Sequence, residues 1–478
     1  MLSYKVFTLY FKNELLLHDV DCDVMEFPEM TQGVKDLLGD PKKAIVKLSL
    51  PMIVGMTILS AYQLADGIWV AGLGADQLAA VGLFFPFFLA IMALGNGLGM
   101  GGSTAIARFL GARKKKDAEL IAIHTIVLGL ILGLAVTLIG FPLVEIMFLS
   151  LSESETVGSY AISYAQILFS GAIIIIFPTV ANAIIRAEGA VKKAVYGLIV
   201  GSVANIILDP IFIYTFDLGV AGAAWATLIS LLLSCLIFMY LIFIRPTSFL
   251  HVSFKGFHLK TKYIKDILRV GIPSAMTQIS ISISLFILNI IVRLASGDEG
   301  IAVLTSGWRI MMMGVIPMLG VSPAVESVSG AAFGAKDKKK LKTAFYYSIR
   351  LGLLIELIIG VLIFLFAEQI AYLFSYTTSS SVIFDDLVLY LRTTAFYYPV
   401  VPASVAAASV FRGMGYGTIS LINTIIRVII LQTLFSYVLA ISFGFGLFGV
   451  WLGIVLGAFL SVIISVSWAN ITIQRLFQ

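Results

Sequence analysis

Two aspartates stand inside long apolar stretches of this 478-residue chain. Asp66 lies within YQLADGIWVAGLG, which begins at Tyr62, and Asp209 lies within NIILDPIFIY. An ionisable side chain in so apolar a segment is costly, and it is therefore a functional candidate by default. The structural alternative is that each aspartate caps a bent helix or hydrogen-bonds a neighbouring backbone group.

The polar side chains near these aspartates carry oxygen ligands. Asn205 precedes Asp209 by four residues and so shares its face of a helix, and Thr227 stands in the next apolar run. Hard cations prefer the carboxylate, amide and hydroxyl oxygens that Asp66, Asn205, Asp209 and Thr227 offer. Two carboxylates in a low dielectric cannot both stay charged without a counter-ion, and one proton or one Na⁺ would remove the repulsion. The pattern predicts a cation site for H⁺ or Na⁺, with the choice open.

Four further residues are expected to support this site. Tyr62 stands one helical turn before the first aspartate, and Pro51 lies earlier in the same run, where it can bend the helix. Pro210 follows the second aspartate and, lacking an N–H, leaves a nearby backbone carbonyl without its helical partner. Asn182 is included as well, although it stands near the opposite end of its own run.

The composition indicates a membrane protein. Hydrophobic residues make up 59% of the chain and charged residues 12%, against about 25% charged residues in a soluble domain. The two cysteines, Cys22 and Cys235, stand far apart and predict neither a disulfide nor a metal centre. The glycines between Gly95 and Gly102 have no following GK[ST], so they do not form a nucleotide loop. We therefore expect no enzyme, no cofactor besides the coupling ion, and no nucleic-acid partner.

Twelve apolar runs reach the roughly 20 residues that a transmembrane helix needs. Basic segments such as Arg108–Glu119 and Gly334–Lys342 alternate with segments such as Ser150–Thr156, which holds no Lys or Arg. Positive-inside bias then places both termini in the cytoplasm and predicts an all-α, multi-pass protein of the cell membrane. The runs, numbered as spans 1 to 12, cover residues 44–72, 78–108, 119–148, 159–186, 194–216, 219–244, 265–294, 301–331, 343–373, 383–411, 416–442 and 446–473.

These spans bring the oxygen ligands to one level. At about 1.5 Å per residue, Asp66 lies about 9 Å from the outer end of span 1, and Asp209 about 10 Å from that of span 5. Thr227 lies about 12 Å from the outer end of span 6 by the same rule. Three helices are therefore expected to carry oxygen-bearing side chains at similar depth.

The two halves of the chain resemble each other at a separation of 222 to 227 residues. IIRAEG at Ile184–Gly189, for example, matches VFRGMG at Val410–Gly415. With six spans each, the halves share one orientation, as in transporters that rock two lobes about a central cavity. The alignments set Asp66 against a leucine and Asp209 against a phenylalanine, so both acids belong to the first half alone. The expected regions are a cytoplasmic extension (1–43, with ordered structure from Met30), a first lobe with the cation site (44–245), a cytoplasmic linker (246–264) and a second lobe (265–478).

Polar residues of the second half are candidates for a substrate cavity. Gln278 and Asn289 on span 7 could line it, or they could make structural hydrogen bonds. Met311, in a run of three methionines, could give the cavity an adaptable wall, with ordinary packing as the alternative. Arg309 could pair with a carboxylate or a substrate, but we favour a structural ion pair or snorkelling for it and for Glu326.

The chain resembles the multidrug and toxic compound extrusion (MATE) family, in its DinF-like prokaryotic branch. The resemblance rests on LADGIWVAGLG in span 1, the RAEG turn after span 4 and NIILDPIFIY in span 5, within twelve spans of two repeated halves. It covers residues 33–478 and implies two six-helix lobes around a V-shaped cavity. It also implies a coupling-ion site at Asp66, Asn205, Asp209 and Thr227, and export of amphipathic, often cationic compounds in exchange for H⁺ or Na⁺.

The other branch of that family carries acidic residues on spans 7 and 10. This chain has Gln278 and Asn289 on span 7 and no carboxylate beyond the start of span 10, which argues against an ion site in the second lobe. The competing hypothesis is a flippase for lipids or lipid-linked oligosaccharides, but its cavity should be strongly cationic and the membrane arginines are few. A channel would need a continuous polar stripe, which no span shows. The expected partners are small amphipathic molecules and the lipid bilayer, and the expected state is a monomer.

Overall fold

The computed structural model describes residues 30–152, 154–244, 249–374 and 383–476. Within these ranges the regular secondary structure is helical. The extension expected over residues 1–29, which includes Cys22, lies outside the described residues. The α-helices are α1 Gln32–Leu38, α2 Pro41–Ala71, α3 Ala75–Gly111, α4 Lys115–Leu151, α5 Glu155–Ser170, α6 Ala172–Ala187, α7 Val191–Pro210, α8 Gly219–Met239, α9 Thr261–Gly334, α10 Lys338–Leu365, α11 Ala367–Phe374, α12 Phe384–Thr394, α13 Val401–Gly413, α14 Gly417–Ile425, α15 Thr433–Tyr437 and α16 Gly446–Arg475.

Twelve spans can be traced through the described ranges. Nine helical segments are individually long and apolar enough to cross a membrane, and two bent pairs qualify when each pair is taken as one span. These are span 4 (α5 and α6, bent by 50°) and span 10 (α12 and α13, bent by 52°). The 74-residue α9 changes direction at Gly297, where φ is +69°, and so contains both span 7 and span 8. The prediction of an all-helical, multi-pass protein is confirmed.

The exterior of the bundle is apolar over much of its surface. Leu138, Ile146 and Phe286 leave about two thirds of their side chains exposed, a pattern that water would penalise and lipid accepts. Glycine and alanine instead concentrate where helices touch, since small residues let two backbones approach closely in a membrane.

The duplication extends to the details of the backbone. Spans 5 and 11 each end in a short π-helix, at Ile211–Thr215 and Val438–Ser442. The loops after spans 2 and 8 place Arg113 and Lys336 at positive φ, which is uncommon for residues with a side chain. Since these features recur at the spacing of the sequence repeat, they belong to the architecture and not to the site of one half.

The two halves meet through backbone contacts in the part of span 2 that leads to the basic loop at Arg113–Lys116. A methyl group at Gly97 would stand 2.6 Å from the carbonyl oxygen of Gly271 in span 7. Gly111 and Ala331, of spans 2 and 8, approach just as closely. We call this end of the bundle, which carries the basic loops, the basic end. Here side chains larger than hydrogen would force the halves apart.

A buried ion pair links spans 8 and 10 within the second half. The Arg412 guanidinium donates from Nε and Nη2 to Oε1 of Glu326, at 2.7 and 2.6 Å, and both residues are almost fully buried. Hydroxyl groups of Ser322, Ser409 and Ser420 accept its other hydrogen bonds. The structural ion pair expected for Glu326 is thus present, with Arg412 as its partner.

Loss of this pair should destabilise the fold. In Glu326→Gln the arginine stays buried without its counter-charge, a change that typically costs about 3–5 kcal/mol. We expect a clearly lowered melting temperature for the purified protein in detergent, followed by intrinsic fluorescence. The matched control is Glu368→Gln, which breaks the exposed Arg392–Glu368 pair, 2.8 Å long, and should cost about 1 kcal/mol or less. Equal losses in the two variants would contradict the assignment.

Candidate functional site

Asp209 is the penultimate residue of α7, and it is completely buried. The side-chain amide of Asn205 donates to its Oδ1 at 3.1 Å, as the four-residue spacing predicts. Pro210 then ends the α-helix, and the chain continues as the π-helix Ile211–Thr215. The proline removes one backbone donor at this point, and the wider π turn follows directly from it.

Asp66 reaches the same place from span 1. Its carboxyl group lies within hydrogen-bonding reach of the Asp209 carboxyl group. Three acceptor oxygens here are buried without a hydrogen-bond partner: Oδ1 of Asp66, Oδ1 of Asn205 and Oδ2 of Asp209. Such a set of oxygens fits a proton shared between the carboxyl groups, or a hard cation held among them.

A hydrogen bond between the backbone of span 1 and a side chain of span 5 fixes the two helices beside this pair. The Tyr214 hydroxyl donates to the carbonyl oxygen of Trp69 at 2.6 Å, and its ring meets the indole edge to face. Gly72 leaves the space that the phenol oxygen fills. Because Trp69 and Tyr214 follow the two aspartates by three and five residues, this contact sets the approach of Asp66 to Asp209.

The register of spans 5 and 6 places Thr227 at the level of the pair. Gly222 of span 6 packs against Phe212 and Ile213, and Gly201 of span 5 packs against Ser230 and Ser234. The antiparallel stretch between these contacts sets Thr227 level with the turn that runs from Asn205 to Asp209. Thr227 is buried there, in agreement with the depth count from the sequence.

Two tyrosines complete the surroundings. Tyr62 and Tyr164 both lie within electrostatic range of Asp66 and of Asp209. Tyr62 was expected from its spacing to Asp66, whereas Tyr164 of span 4 was missed. It is the tenth residue of α5, about 14 Å from the start of that helix, which is close to the depth of Thr227. Depth counting along span 4 would have found it.

In the described part of the chain, no ion pair includes either aspartate. Among the residues that the structure describes, the groups that interact electrostatically with the two carboxyl groups are Tyr62, Tyr164, Asn205 and each other. Such an arrangement fits compensation of the negative charge by protonation or by a bound cation.

Other candidates from the sequence lie elsewhere or play other parts. Asn182 donates to the carbonyl oxygen of Ala194, near the basic end of span 5 and about four turns from Asp209, so it does not support the pair. Met311 is buried in the second half, where its sulfur accepts from the Tyr390 hydroxyl at 3.7 Å. Ordinary packing, the alternative that the sequence offered for Met311, describes its side chain in this structure.

Three more candidates keep accessible surface. Asn289 is half-buried and bonds the carbonyl oxygen of Leu285 in its own helix, the structural role that the sequence left open. Gln278 and Arg309 are exposed, which leaves them available to a cavity. On span 1, α2 continues through Pro51 from Pro41 to Ala71.

Comparison with known proteins gives a consistent result. The MatE family model matches residues 51–211 and 273–438, one segment in each half. A solved structure of a MATE protein in complex with MaL6 is 45% identical, with a TM-score of 0.91, over 94% of this chain and 99% of that one. A transporter of the MOP superfamily from Pyrococcus furiosus, described as having a binding pocket of reverse polarity that suggests a different function, is 44% identical. Its TM-score is 0.91 over 94% and 100% of the two chains.

A curated relative is more distant. The multidrug export protein MepA of Staphylococcus saprophyticus is 28% identical over 335 residues, which are 70% of this chain and 73% of that protein.

The proximity of the two aspartates can be tested directly. In a background with Cys22 and Cys235 replaced by Ser, Asp66→Cys combined with Asp209→Cys should be joined by a short thiol cross-linker, as peptide mass spectrometry would detect. Asp66→Cys combined with Asn182→Cys is the control, because Asn182 lies near the other end of its lobe and should give no cross-link. Cross-linking of the control alone would contradict the site.

Proposed function

The chain belongs to the MATE family, whose members are transporters and not enzymes, and we propose that it is a secondary active antiporter that exports amphipathic compounds. The export is driven by H⁺ or Na⁺ entering through the first lobe. The observation that carries this proposal is the Asp66–Asp209 pair between spans 1 and 5, in which Asp209 is buried and Asp66 half-buried, with no ion pair to a cationic side chain among the described residues.

Relatives support the direction and substrates of transport. MepA of Staphylococcus saprophyticus is named as a multidrug export protein, and another solved relative, 44% identical with a TM-score of 0.91 over 94% of this chain, is described as a multidrug resistance transporter in an outward-facing conformation. Cationic and neutral amphiphiles are accordingly the substrates that we propose.

The electrostatics of the site explain how an ion gradient could do this work. One elementary charge that moves through the membrane potential supplies about 2.3 kcal/mol per 100 mV. A cation that neutralises the Asp66–Asp209 pair removes their repulsion and so changes the packing that spans 1 and 5 prefer. If substrate and cation compete for one lobe, neither can cross without the other.

The contact between the halves supports alternating access. At the basic end, which we propose faces the cytoplasm, the two halves touch through glycine backbones of spans 2, 7 and 8. Such surfaces interlock few side chains, so they can part and close again as rigid bodies. Closure at this end corresponds to an outward-open arrangement.

A second candidate concerns the substrate. The Pyrococcus furiosus relative is described as having a pocket of reverse polarity and a different suggested function, although it is 44% identical to this chain. An anionic lipid, moved by the same architecture, is therefore the alternative cargo. Binding assays with the purified protein should include both a cationic dye and an anionic lipid, and tighter binding of the lipid would favour a flippase.

Neutralising either aspartate should abolish coupled export. In proteoliposomes with an imposed H⁺ or Na⁺ gradient, Asp66→Asn and Asp209→Asn are each expected to lose at least ten-fold of the initial rate of dye export. Substrate-induced release of protons, measured with an interior pH dye with and without Na⁺, identifies the ion. Asp298→Asn, whose carboxyl is 86% exposed in a loop, is the control and should keep the rate of the unchanged protein. Full gradient-driven export by both site variants would contradict a role of the two aspartates in coupling.

Locking the basic end should also stop transport. The Cβ of Ala107 in span 2 stands 3.1 Å from the position of a Cβ at Gly330 in span 8, near the roughly 3.5–4.5 Å of a disulfide. Without the native cysteines, Ala107→Cys combined with Gly330→Cys should oxidise readily, lose export when oxidised, and regain it on reduction. Each single cysteine serves as the control. Normal export by the oxidised double variant would contradict alternating access at this contact.

A further inference from the structure

Span 9 carries a carboxyl group that the first-lobe site does not use. Glu356, in α10, is completely buried, and neither of its carboxylate oxygens has a hydrogen-bond partner among the residues that the structure describes. An uncompensated carboxylate in such an environment is among the most costly groups that a membrane protein can hold.

Close helix packing encloses this side chain. Gly352 and Gly360 stand one turn before and after Glu356 on the same face of α10. Methyl groups at these glycines would lie 2.7 Å from the Met318 sulfur of span 8 and 2.8 Å from the Ala395 carbonyl oxygen of span 10. The backbone of Met318 approaches the carboxyl group but completes no hydrogen bond with it. The Glu356 side chain is therefore enclosed by spans 8 and 10 together with its own helix, span 9.

A second buried polar group lies beside Glu356. Tyr398 of span 10 is completely buried, and within the described part of the chain its hydroxyl has no hydrogen-bond partner. That hydroxyl lies 2.7 Å from where a methyl at Gly314 would stand, one turn before Met318 on span 8. Tyr398 is also within electrostatic range of Glu356. The two groups thus meet the same short stretch of span 8.

The charged neighbours are few. Among the described residues, the groups from the packed elements that act on Glu356 or Tyr398 are the Met318 backbone of span 8 and the phenol of Tyr397 on span 10. Neither is a cation. Two carboxylate oxygens and one hydroxyl are also fewer ligands than a hard metal ion takes, which is about six. A proton is the ligand that fits.

The first half has no counterpart to this arrangement. With Gly111 laid on Gly334, Glu356 aligns with Gly133, which packs against the backbone of Ile173. With Arg186 laid on Arg412, Tyr398 aligns with Ala172, the neighbour of Ile173. The second half therefore places a carboxyl and a phenol where the first half places a glycine and an alanine. Asp66 and Asp209 were singled out because the other half has no counterpart to them. Glu356 and Tyr398 lack a counterpart in the first half in the same way, and this asymmetry points to function.

We infer that Glu356 and Tyr398 form a second proton-binding site, in the half of the chain that lacks the aspartate pair. The carboxyl group carries a proton while spans 8, 9 and 10 enclose it, and the Tyr398 hydroxyl is placed to hydrogen-bond either form when the helices shift. The site releases its proton when water enters between these spans. This inference holds whether or not the Asp66–Asp209 pair couples transport.

Infrared spectroscopy of the reconstituted full-length protein tests it without any transport assay. A protonated carboxyl in an apolar environment gives its own C=O stretching band, distinct from that of a carboxylate. Because the aspartate pair can contribute a protonated carboxyl of its own, we expect the band near neutral pH to persist in an Asp66→Asn, Asp209→Asn double variant and to disappear when Glu356→Gln is added. Tyr398→Phe should keep the band but shift its frequency, because the neighbouring hydroxyl is gone.

Three results would overturn the inference. The band of the double aspartate variant could survive when Glu356→Gln is added without a loss of melting temperature. It could appear only after Na⁺ is withdrawn, which would make this a Na⁺ site. Finally, Tyr398→Phe could leave the frequency unchanged. If Glu356→Gln fails to fold, the shift in Tyr398→Phe decides. Lost export by the aspartate variants with a normal Glu356 band would support the two sites as separate.

Discussion

The constraint on which this structure depends is the cost of negative charge away from water. Asp66 and Asp209 bring two carboxyl groups together between spans 1 and 5, and the described neighbours are tyrosines and an asparagine. Among the described residues neither group forms an ion pair with an arginine or lysine, and the proposed function assigns the compensation of their charge to a mobile cation. The surrounding contacts, above all the Tyr214–Trp69 hydrogen bond, serve to hold the two helices at the distance where that requirement arises.

The second half handles buried charge in another way. Glu326 is satisfied by Arg412 and three serine hydroxyls, which gives a fixed, fully bonded cluster at the basic end of spans 8 and 10. Arg186, the counterpart of Arg412 in the first half, lies within electrostatic range of the same Glu326. One carboxylate therefore faces arginines from both halves. That arrangement adds charged groups to the contact at the basic end, and the proposed ion site lies toward the other end.

The two halves meet where glycine residues let their backbones approach closely. The contacts of Gly97, Gly111 and Gly330 across the interface involve backbone atoms or a single methyl group. Lipid offers no hydrophobic drive for helices to associate, so close packing of small residues supplies much of the attraction. Close packing of small residues also leaves few interlocked side chains that must separate when the two halves move apart. A transporter that alternates between two closed ends benefits from such a contact.

The sequence by itself determined the all-helical, multi-pass character of the chain and the order of its apolar runs, because bilayer thickness fixes how long such a run must be. It also determined that Asn205 and Asp209 share a helix face, since that depends on local geometry alone. Tertiary structure decided which side chains of different helices meet, because a hydropathy pattern does not contain that information. Tyr164 joins the aspartates from a different helix, Met311 turns into the lobe, and Glu356 is sealed between three spans. In a membrane the lipid-facing and core-facing sides of a helix are both apolar, so the rotation of each helix about its axis is set only by the neighbours it packs against.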